Sequence, residues 1–242
     1  MRIQLIKGDI TTFACDAIVN AANSSLMGGG GVDGAIHRAA GPQLVEECKV
    51  ITQRQGPCHP GQAVLTKGYN LVAAHVIHTV GPIWRGGTAN EEATLRSCYE
   101  NIVRLAHQHR LKTLAIPNIS TGVYGFPKEL AAQTVAAYFR GVREHERIIE
   151  IVTFVCFDDE NLRLYRRSFS DLLEHNNHQE QLQKTLDRLQ TELADREAAL
   201  PAHSVRPHQI MVIEALEEEI AQVKQALDRL EAGDEPGPDK RE

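Results

Sequence analysis

The stretch that decides the fold reads Ala17-Ile-Val-Asn-Ala-Ala-Asn23, then Ser-Ser-Leu-Met, then Gly28-Gly-Gly-Gly-Val-Asp33-Gly-Ala-Ile-His37. An apolar run is followed by asparagines, by four consecutive glycines and by an amphipathic pattern. This order predicts a buried strand, a glycine loop and a helix. Four glycines can also form a flexible linker, but linkers rarely lie between a core strand and an amphipathic helix.

The glycine loop has the composition of a phosphate site. Glycine lets backbone N–H groups approach a ligand closely, and the helix that follows presents a partial positive charge at its N-terminus. We therefore predict that phosphate oxygens bind to Gly28, Gly29, Gly30, Gly31 and Val32.

A second loop follows the apolar run Ile116–Ile119 and precedes Pro127, which can start a helix. Its predicted ligand-binding residues are Ser120, Thr121, Gly122, Val123, Tyr124, Gly125 and Phe126. Two such loops suggest a ligand with two phosphates. Neither loop matches the P-loop or the dinucleotide fingerprint, which disfavours ATP hydrolysis and ordinary nicotinamide binding.

A carboxylate beside a diphosphate needs a reason, and Asp33 has two candidate roles. It can cap the helix, or it can act as a base or water-orienting group at a reacting centre. His37 lies one helical turn later on the same face. Asn23 is placed to hydrogen-bond a sugar hydroxyl. Asn23, Asp33 and His37 are therefore candidates for a reacting centre, and Asn20 is a candidate ligand-binding residue.

The other strand ends carry weaker signals. Asp9, in Gly8-Asp9-Ile10-Thr11, can cap a short helix or accept a hydrogen bond from a base amino group. Phe157 is an aromatic residue of the core or a platform that stacks on a base. Asp9, Ile10, Phe157 and Asn161 are included among the predicted ligand-binding residues.

Short β-rich runs alternate with helical patterns over the first 174 residues, which predicts a three-layer α/β domain with a largely parallel or mixed sheet. The strand candidates are Ile3–Ile6, Ala17–Asn20, Ala63–Thr66, Val76–Val80, Thr113–Pro117 and Ile149–Phe157. The helix candidates are Gly34–Ala40, Gln43–Arg54, Glu91–His109, Lys128–His145 and a last one near Glu160.

The C-terminal part differs in charge and in periodicity. Residues 1–174 carry 18 basic and 17 acidic side chains, so residues 175–242 hold 8 basic and 15 acidic ones of the totals of 26 and 32. Leucine, isoleucine and valine recur at heptad spacing in 182–193 and 213–230, although Arg196 weakens the first seam. We expect a coiled-coil hairpin at 175–232, turning near Ala202–Arg206 and pairing in cis, in trans or both, and a disordered tail at 233–242.

The composition excludes several classes of protein. A net charge of −6 disfavours a general nucleic-acid surface, and no apolar run is long enough to span a membrane. Lys7, Gly8 and Asp9 interrupt any signal-peptide core. Five cysteines without a CxxC pair favour reduced thiols and a cytoplasmic protein, and Cys58-His59 alone is too little for a metal site.

These motifs, in this order, resemble the macrodomain family over about residues 1–173, also through His78-Thr-Val-Gly-Pro82. The glycine–aspartate run is similar to the MacroD-type branch, close to bacterial O-acetyl-ADP-ribose deacetylases. The resemblance implies ADP-ribose as ligand, with Asp9 and Ile10 at the adenine and Phe157 near the adenine and proximal ribose. It implies that both loops embrace the diphosphate and distal ribose.

The resemblance implies a hydrolase without cofactor or metal, with Asn23, Asp33 and His37 as the catalytic residues. Asp33 would orient or activate a water, Asn23 would fix the ribose and His37 would support the site. Its substrates would be O-acetyl-ADP-ribose or proteins that carry mono-ADP-ribose on Asp or Glu. One alternative is a reader module that binds ADP-ribose without turnover. In another, the helical tail carries the main function and the first domain is a regulated head. The partners expected are the ADP-ribose derivatives, with a homo-oligomer or another protein through the tail.

Overall fold

The computed structural model describes residues 1–142, 148–200 and 206–232. Six strands form one sheet, in the order β1-β6-β5-β2-β4-β3. Their bounds are β1 (Arg2–Lys7), β2 (Ala17–Ala22), β3 (Ala63–Lys67), β4 (His75–Val80), β5 (Thr113–Pro117) and β6 (Ile151–Cys156). All neighbouring strands are parallel except the edge strand β3, which runs antiparallel to β4, so the sheet is mixed.

Helices cover both faces of this sheet. The helices described in the chain are α1 (Gly31–Ala40), α2 (Pro42–Gln55), α3 (Glu91–Gln108), α4 (Lys128–Gly141), α5 (Asp159–Ser168), α6 (Ser170–Ala198) and α7 (Pro207–Ala232), with a short 3-10 helix at Ile10–Thr12, and α6 and α7 form a separate unit. Helices α1 and α2 contact each other, and α3, α4 and α5 form a second connected group. The predicted three-layer fold is confirmed.

Alternation along β6 shows how one strand serves two cores. Val155 joins an apolar cluster with Ile36 of α1 and Leu44 of α2. The preceding residue, Phe154, contacts aromatic rings of the other layer, among them Phe139 of α4. Because successive side chains of a strand point to opposite faces, the continuous apolar run of β6 fills both layers.

Helix and strand ends depart from the prediction in informative places. Helix α1 begins at Gly31, three residues before the predicted start, because its glycine-rich first turn has little intrinsic helix propensity and gives no pattern. Strand β6 ends at Cys156, which leaves Phe157 outside the sheet. The predicted end of α4 at His145 lies outside the described residues.

The chain divides into two compact units, Met1–Leu172 and Leu173–Glu242. In the second unit α6 and α7 pack against each other through Leu186, Leu189, Leu216, Ile220 and Leu227. The apolar seams of the two helices therefore pair within the chain. The domain bounds at 174 and 232 stay predictions, and most of the predicted turn Ala202–Arg206 and the tail 233–242 lie outside the described residues.

The parallel strands place the loops of interest along one edge. β1, β6, β5 and β2 are consecutive neighbours, and their carboxyl ends lead into the segments that begin at Gly8, Phe157, Asn118 and Asn23. With strands about 4.8 Å apart, β1 and β2 lie roughly 14 Å from each other. This edge is where open α/β sheets bind their ligands.

Among the described helices, none is long and apolar enough to cross a membrane.

Candidate functional site

Asp33 is a buried carboxylate on the first turn of α1. The residue that caps this helix is Gly30, which makes no side-chain cap bond, and Asp33 is the third helical residue. Only 4% of Asp33 is exposed. The interpretation of Asp33 as a helix cap is therefore wrong, and its carboxylate is held by other groups.

Two asparagine amides hold the Asp33 carboxylate, one on each oxygen. Asn20 Nδ2 donates to Oδ1 at 2.8 Å and Asn23 Nδ2 donates to Oδ2 at 3.3 Å. Asn23 also donates to the carbonyl of Gly28 at 2.9 Å, and its own Oδ1 accepts from the amide and hydroxyl of Ser25. Both ends of the Asn23 amide are therefore held by hydrogen bonds, and the amide in turn holds Oδ2 of Asp33 in position.

His37 lies over the same carboxylate, as the spacing of four residues predicts. Its Nε2 is 3.4 Å from Asp33 Oδ1, and the side chain is nine-tenths buried. Burial lowers the pKa of His37, against the opposing effect of the carboxylate. Burial raises the pKa of Asp33, against the hydrogen bond from Asn20 and the nearby imidazole. The site therefore pairs a more basic carboxylate with an imidazole that resists protonation.

The glycine loop lies directly against these catalytic candidates. A Cβ built on Gly28 would lie 3.2 Å from the ring of His37. The first intrahelical bond of α1 runs from Gly34 N to Gly30 O, so the preceding amides have no intrahelical acceptor. Such amides, together with the positive end of the helix dipole, are the groups that bind phosphate oxygens in other proteins, so the prediction for this loop stays open.

The second loop is closed on itself and is supported by Trp84, in the segment that follows β4. Phe126 N donates to Ser120 O at 3.0 Å and Gly125 N donates to Gly122 O at 2.9 Å. Behind the loop, Phe126 is buried and its ring lies 4.7 Å from that of Trp84. Val123 is fully exposed. The backbone of this loop thus faces solvent, while its aromatic residue anchors it.

The structure settles the local roles of the β1 and β6 ends. Asp9 caps the 3-10 helix, with Oδ1 accepting from Thr11 N and Thr11 Oγ1 at 2.9 and 2.8 Å. In the described chain its Oδ2 accepts no hydrogen bond. Ile10 is buried and Phe157 is 87% exposed, so Phe157 is not a core residue.

Both asparagines among the predicted ligand-binding residues are turned inward. Asn20 is fully buried and Asn161 is 3% exposed. Asn161 belongs to the N-terminus of α5, where its Nδ2 donates to the capping residue Asp158 at 3.0 Å. Asn20 lies behind Asp33, between that carboxylate and a histidine of β4. Their predicted contacts with a ligand stay predictions.

That histidine, His78, is the residue that sequence reasoning missed. It is fully buried, its Nδ1 is 3.0 Å from Asn20 Nδ2 and its Nε2 is 2.9 Å from Thr66 Oγ1. The only signal was its place in the quoted His78–Pro82 motif. Residues 20 and 78 are neighbours in the β2–β4 register, which no local pattern reveals.

One group of side chains in the described chain has the composition of a metal site. Ligand atoms of His37, Cys48 and His78 lie within 4.8 Å of one another. Both ring nitrogens of His78 are already within hydrogen-bond distance of Asn20 and Thr66, and burial raises the pKa of Cys48 to about 12. We assign no metal to this group, because binding an ion would require His78 to give up one of these bonds.

Comparison with known proteins gives a consistent family. The Macro domain family profile matches residues 19–135. The chain is 55% identical over 168 residues to a "Macro domain-containing protein in gbd 3'region" of Cupriavidus necator, covering 69% of this chain and 97% of that protein. It is 56% identical over 166 residues to an "O-acetyl-ADP-ribose deacetylase" of Enterobacter cloacae, covering 69% and 92%.

Solved structures show the same similarity. A macrodomain of Oceanobacillus iheyensis with ADP is 38% identical, with a TM-score of 0.66, and the match covers 70% of this chain and 90% of that one. A Trypanosoma brucei macrodomain in complex with ADP-ribose is 40% identical, with a TM-score of 0.62, and the match covers 69% and 68%.

Proposed function

The chain belongs to the macrodomain family, and we propose that it is a hydrolase of esters on the distal ribose of ADP-ribose, with O-acetyl-ADP-ribose as one substrate. Mono-ADP-ribose esters of Asp and Glu side chains are the second substrate class. Relatives named as O-acetyl-ADP-ribose deacetylases support this proposal, and so does the geometry around Asp33.

The observation that carries the proposal is the way Asp33 is held. A buried carboxylate loses much of its hydration, and here two fixed amides replace it, one on each oxygen. Asp33 is not the capping residue of α1, so a cap hydrogen bond does not explain why this carboxylate is buried. A module that only binds ADP-ribose has no need of a buried base. The buried carboxylate of Asp33 also lies beside the proposed phosphate loop, Gly28–Val32.

We propose that the ligand lies along the carboxyl ends of β1, β6, β5 and β2. The adenine lies at Asp9 and Phe157, at the ends of β1 and β6. The diphosphate lies between Ser120–Phe126 and Gly28–Val32, where free backbone amides take the place of basic side chains. The distal ribose then reaches Asn23 and Asp33 at the end of β2.

In the reaction, Asp33 orients a water molecule and accepts its proton as the water attacks the ester carbonyl. Oδ2 is the oxygen on the side of the glycine loop, so it faces the substrate. The acyl–oxygen bond breaks, the ribose oxygen leaves and takes up a proton, and the products are the carboxylic acid and ADP-ribose. His37, held neutral by burial, supports the position of Asp33.

Incubation with O-acetyl-ADP-ribose and with a mono-ADP-ribosylated protein tests the proposal. We expect the wild-type protein to release acetate from the first substrate. Asp33→Ala should still bind ADP-ribose but should release no acetate. A wild-type protein that binds ADP-ribose tightly and turns over neither substrate would be a reader, and the proposal would fail.

Partner and location complete the proposal. We propose that the α6–α7 hairpin also joins two copies of the chain, since Ile210 and Met211 near the start of α7 are 45% and 67% exposed. Light scattering should then give the mass of two chains for the full-length protein and of one chain after deletion of residues 176–242. A full-length protein with the mass of one chain rejects this part. Five free cysteines support the cytoplasm as the location.

A further inference from the structure

We propose that His78 is a positioning residue for this reaction: acting through Asn20, it decides which hydrogen-bonding group faces the carboxylate of Asp33. The inference rests on the proposed role of Asp33 as the base. His78 lies on β4, is fully buried and belongs to the sequence motif to which no role was given.

The amide of Asn20 lies between Asp33 and His78. Its Nδ2 is 2.8 Å from Asp33 Oδ1 and 3.0 Å from His78 Nδ1. A carboxamide has two N–H groups, so both are used and Nδ1 of His78 is the acceptor. Asn20 Oδ1 has no hydrogen-bond partner in the described part of the chain, so these two N–H bonds alone decide how the amide is oriented.

The other ring nitrogen of His78, Nε2, faces the hydroxyl of Thr66. Because Nδ1 offers its lone pair, the proton of the neutral ring is on Nε2. Nε2 donates to Thr66 Oγ1 at 2.9 Å, and the hydroxyl of Thr66 donates to the carbonyl of Val76 at 3.4 Å. Each bond therefore has one donor: Asn20 donates to the carboxylate of Asp33 on one side and to His78 on the other, and His78 and Thr66 continue the donation to the backbone carbonyl of β4.

The reverse arrangement shows what this chain of bonds prevents. A proton on Nδ1 would face the N–H of Asn20, and the amide would turn to accept from it. Asn20 Oδ1 would then face Asp33 Oδ1, two acceptors in contact, which destabilises the ionised carboxylate. The tautomer of His78 thus controls how easily Asp33 ionises.

The groups around His78 keep it in one state. Cys48 of α2 lies 3.9 Å from Nε2, and the ring of His37 of α1 lies 6.0 Å away by centroids. Burial and the nearby His37 lower the pKa of His78 to about 3, and burial together with Glu47 and Asp33 raises the pKa of Cys48 to about 12. Both are uncharged at neutral pH, so Asp33 and His37 are the titrating pair of the cluster.

Two substitutions separate the two nitrogens of His78. In His78→Asn the side-chain oxygen can take the place of Nδ1 and accept from Asn20, and the bond to Thr66 is lost. In His78→Gln the amide nitrogen can reach Thr66, and the acceptor for Asn20 is lost. A purely structural role would make the two variants similar.

We expect His78→Gln to lower kcat by on the order of tenfold and to move the acid limb of the kcat/KM profile to higher pH, as for the loss of a hydrogen bond to a charged group. His78→Asn should stay within about threefold of wild type with the wild-type profile. Equal losses in both variants, or an unshifted profile in His78→Gln, would overturn the inference.

A second pair and a second readout keep the test independent of folding and of turnover. If the His78 variants do not fold, Thr66→Val should shift the profile as His78→Gln does, and Thr66→Ser should not; identical profiles overturn the inference. Carbon-13 NMR titration of the Asp33 carboxyl measures its pKa directly in the same variants. If the wild type hydrolyses neither substrate, the proposed function fails, while an Asp33 pKa that follows the acceptor at position 78 still supports this inference.

Discussion

The backbone of Gly29 passes against the carboxylate of Asp33, since a Cβ on this glycine would lie 3.1 Å from Oδ2 and 3.3 Å from Asn23 Nδ2. We expect Gly29→Ala to displace these two groups by a few tenths of an ångström and to lower kcat/KM on the order of tenfold, because positioning errors reduce rates steeply. Steady-state kinetics measures this. Gly141→Ala, in open space on α4, is the control and should leave the rate unchanged. Equal rates for both variants would show that Gly29 is not required there.

Phe157 carries the prediction for the adenine end. Its ring is 87% exposed, so Phe157→Ala should leave the melting temperature unchanged and weaken ADP-ribose binding on the order of tenfold, the usual effect of losing one stacked ring. Calorimetric titration with ADP-ribose measures the affinity. Val72→Ala removes an exposed apolar side chain elsewhere and serves as the control. Unchanged affinity in Phe157→Ala would remove this residue from the site.

Glu91 is expected to act on binding from a distance. Its carboxylate accepts backbone N–H bonds from Arg85, Gly87 and Ala89, in the loop that follows Trp84. Trp84 N in turn donates to the carbonyl of Tyr124 at 2.8 Å in the second ligand loop.

Glu91→Gln should therefore raise the Kd for ADP-ribose several-fold, because a charged acceptor of three amides is lost. The exposed neighbour Glu92 gives the matched control Glu92→Gln. A Kd that does not differ between the two variants would contradict a link between these loops.

His78 also predicts how stability depends on pH. Its pKa falls from 6.5 to about 3 in the folded protein because burial and the nearby His37 disfavour the charged ring. The stability that its neutral form contributes is present above pH 6.5 and is lost as pH falls from 6.5 to about 3, up to roughly 5 kcal/mol over that window. Urea unfolding of wild type and His78→Asn measures the difference. The variant should lose less stability on acidification, and the exposed control His59→Asn should follow the wild type.

The packing around Leu189 allows the α6–α7 hairpin to be destabilised, and we expect turnover to be independent of that change. Leu189 is 1% exposed in the α6–α7 cluster, whereas Leu193 only borders that cluster. Leu189→Ala should destabilise the hairpin by about 2–5 kcal/mol, and Leu193→Ala by less. Thermal unfolding followed by circular dichroism measures both, and turnover should be unchanged in each variant. A loss of turnover with either one would mean that the helices take part in the reaction.

Much of the site follows from sequence because it is local. Asp33 and His37 meet because a helix brings residues four apart together, and Asn23 reaches them across the short glycine loop. The missing member was His78, which lies 58 residues from Asn20 and meets it only through the register of two parallel strands. The start of α1 at Gly31 was missed for a different reason, since glycine has a low helix propensity and gives no helical pattern.

The same logic limits what the helical part reveals. Heptad spacing predicted that α6 and α7 would bury a leucine seam, and the cluster around Leu186 and Leu216 confirms the packing of the two helices. Spacing cannot distinguish a partner helix in the same chain from one in a second copy, because the apolar stripe is the same in both cases. Pairing within the chain is what the fold adds.

The proposed role of Asp33 as the general base is tested by the rate at which Asp33→Asn releases acetate, measured beside the wild-type protein. Burial raises the pKa of Asp33, so the ionised carboxylate costs stability in the folded protein, and Asp33→Asn removes that cost. The new amide places an N–H against Asn20 or Asn23, both of which donate to Asp33, and this offsets part of the gain. The variant should fold and bind ADP-ribose, yet release acetate 10²–10⁴-fold more slowly, about the range for loss of a general base. A folded variant that binds ADP-ribose and releases acetate at the wild-type rate would contradict the account.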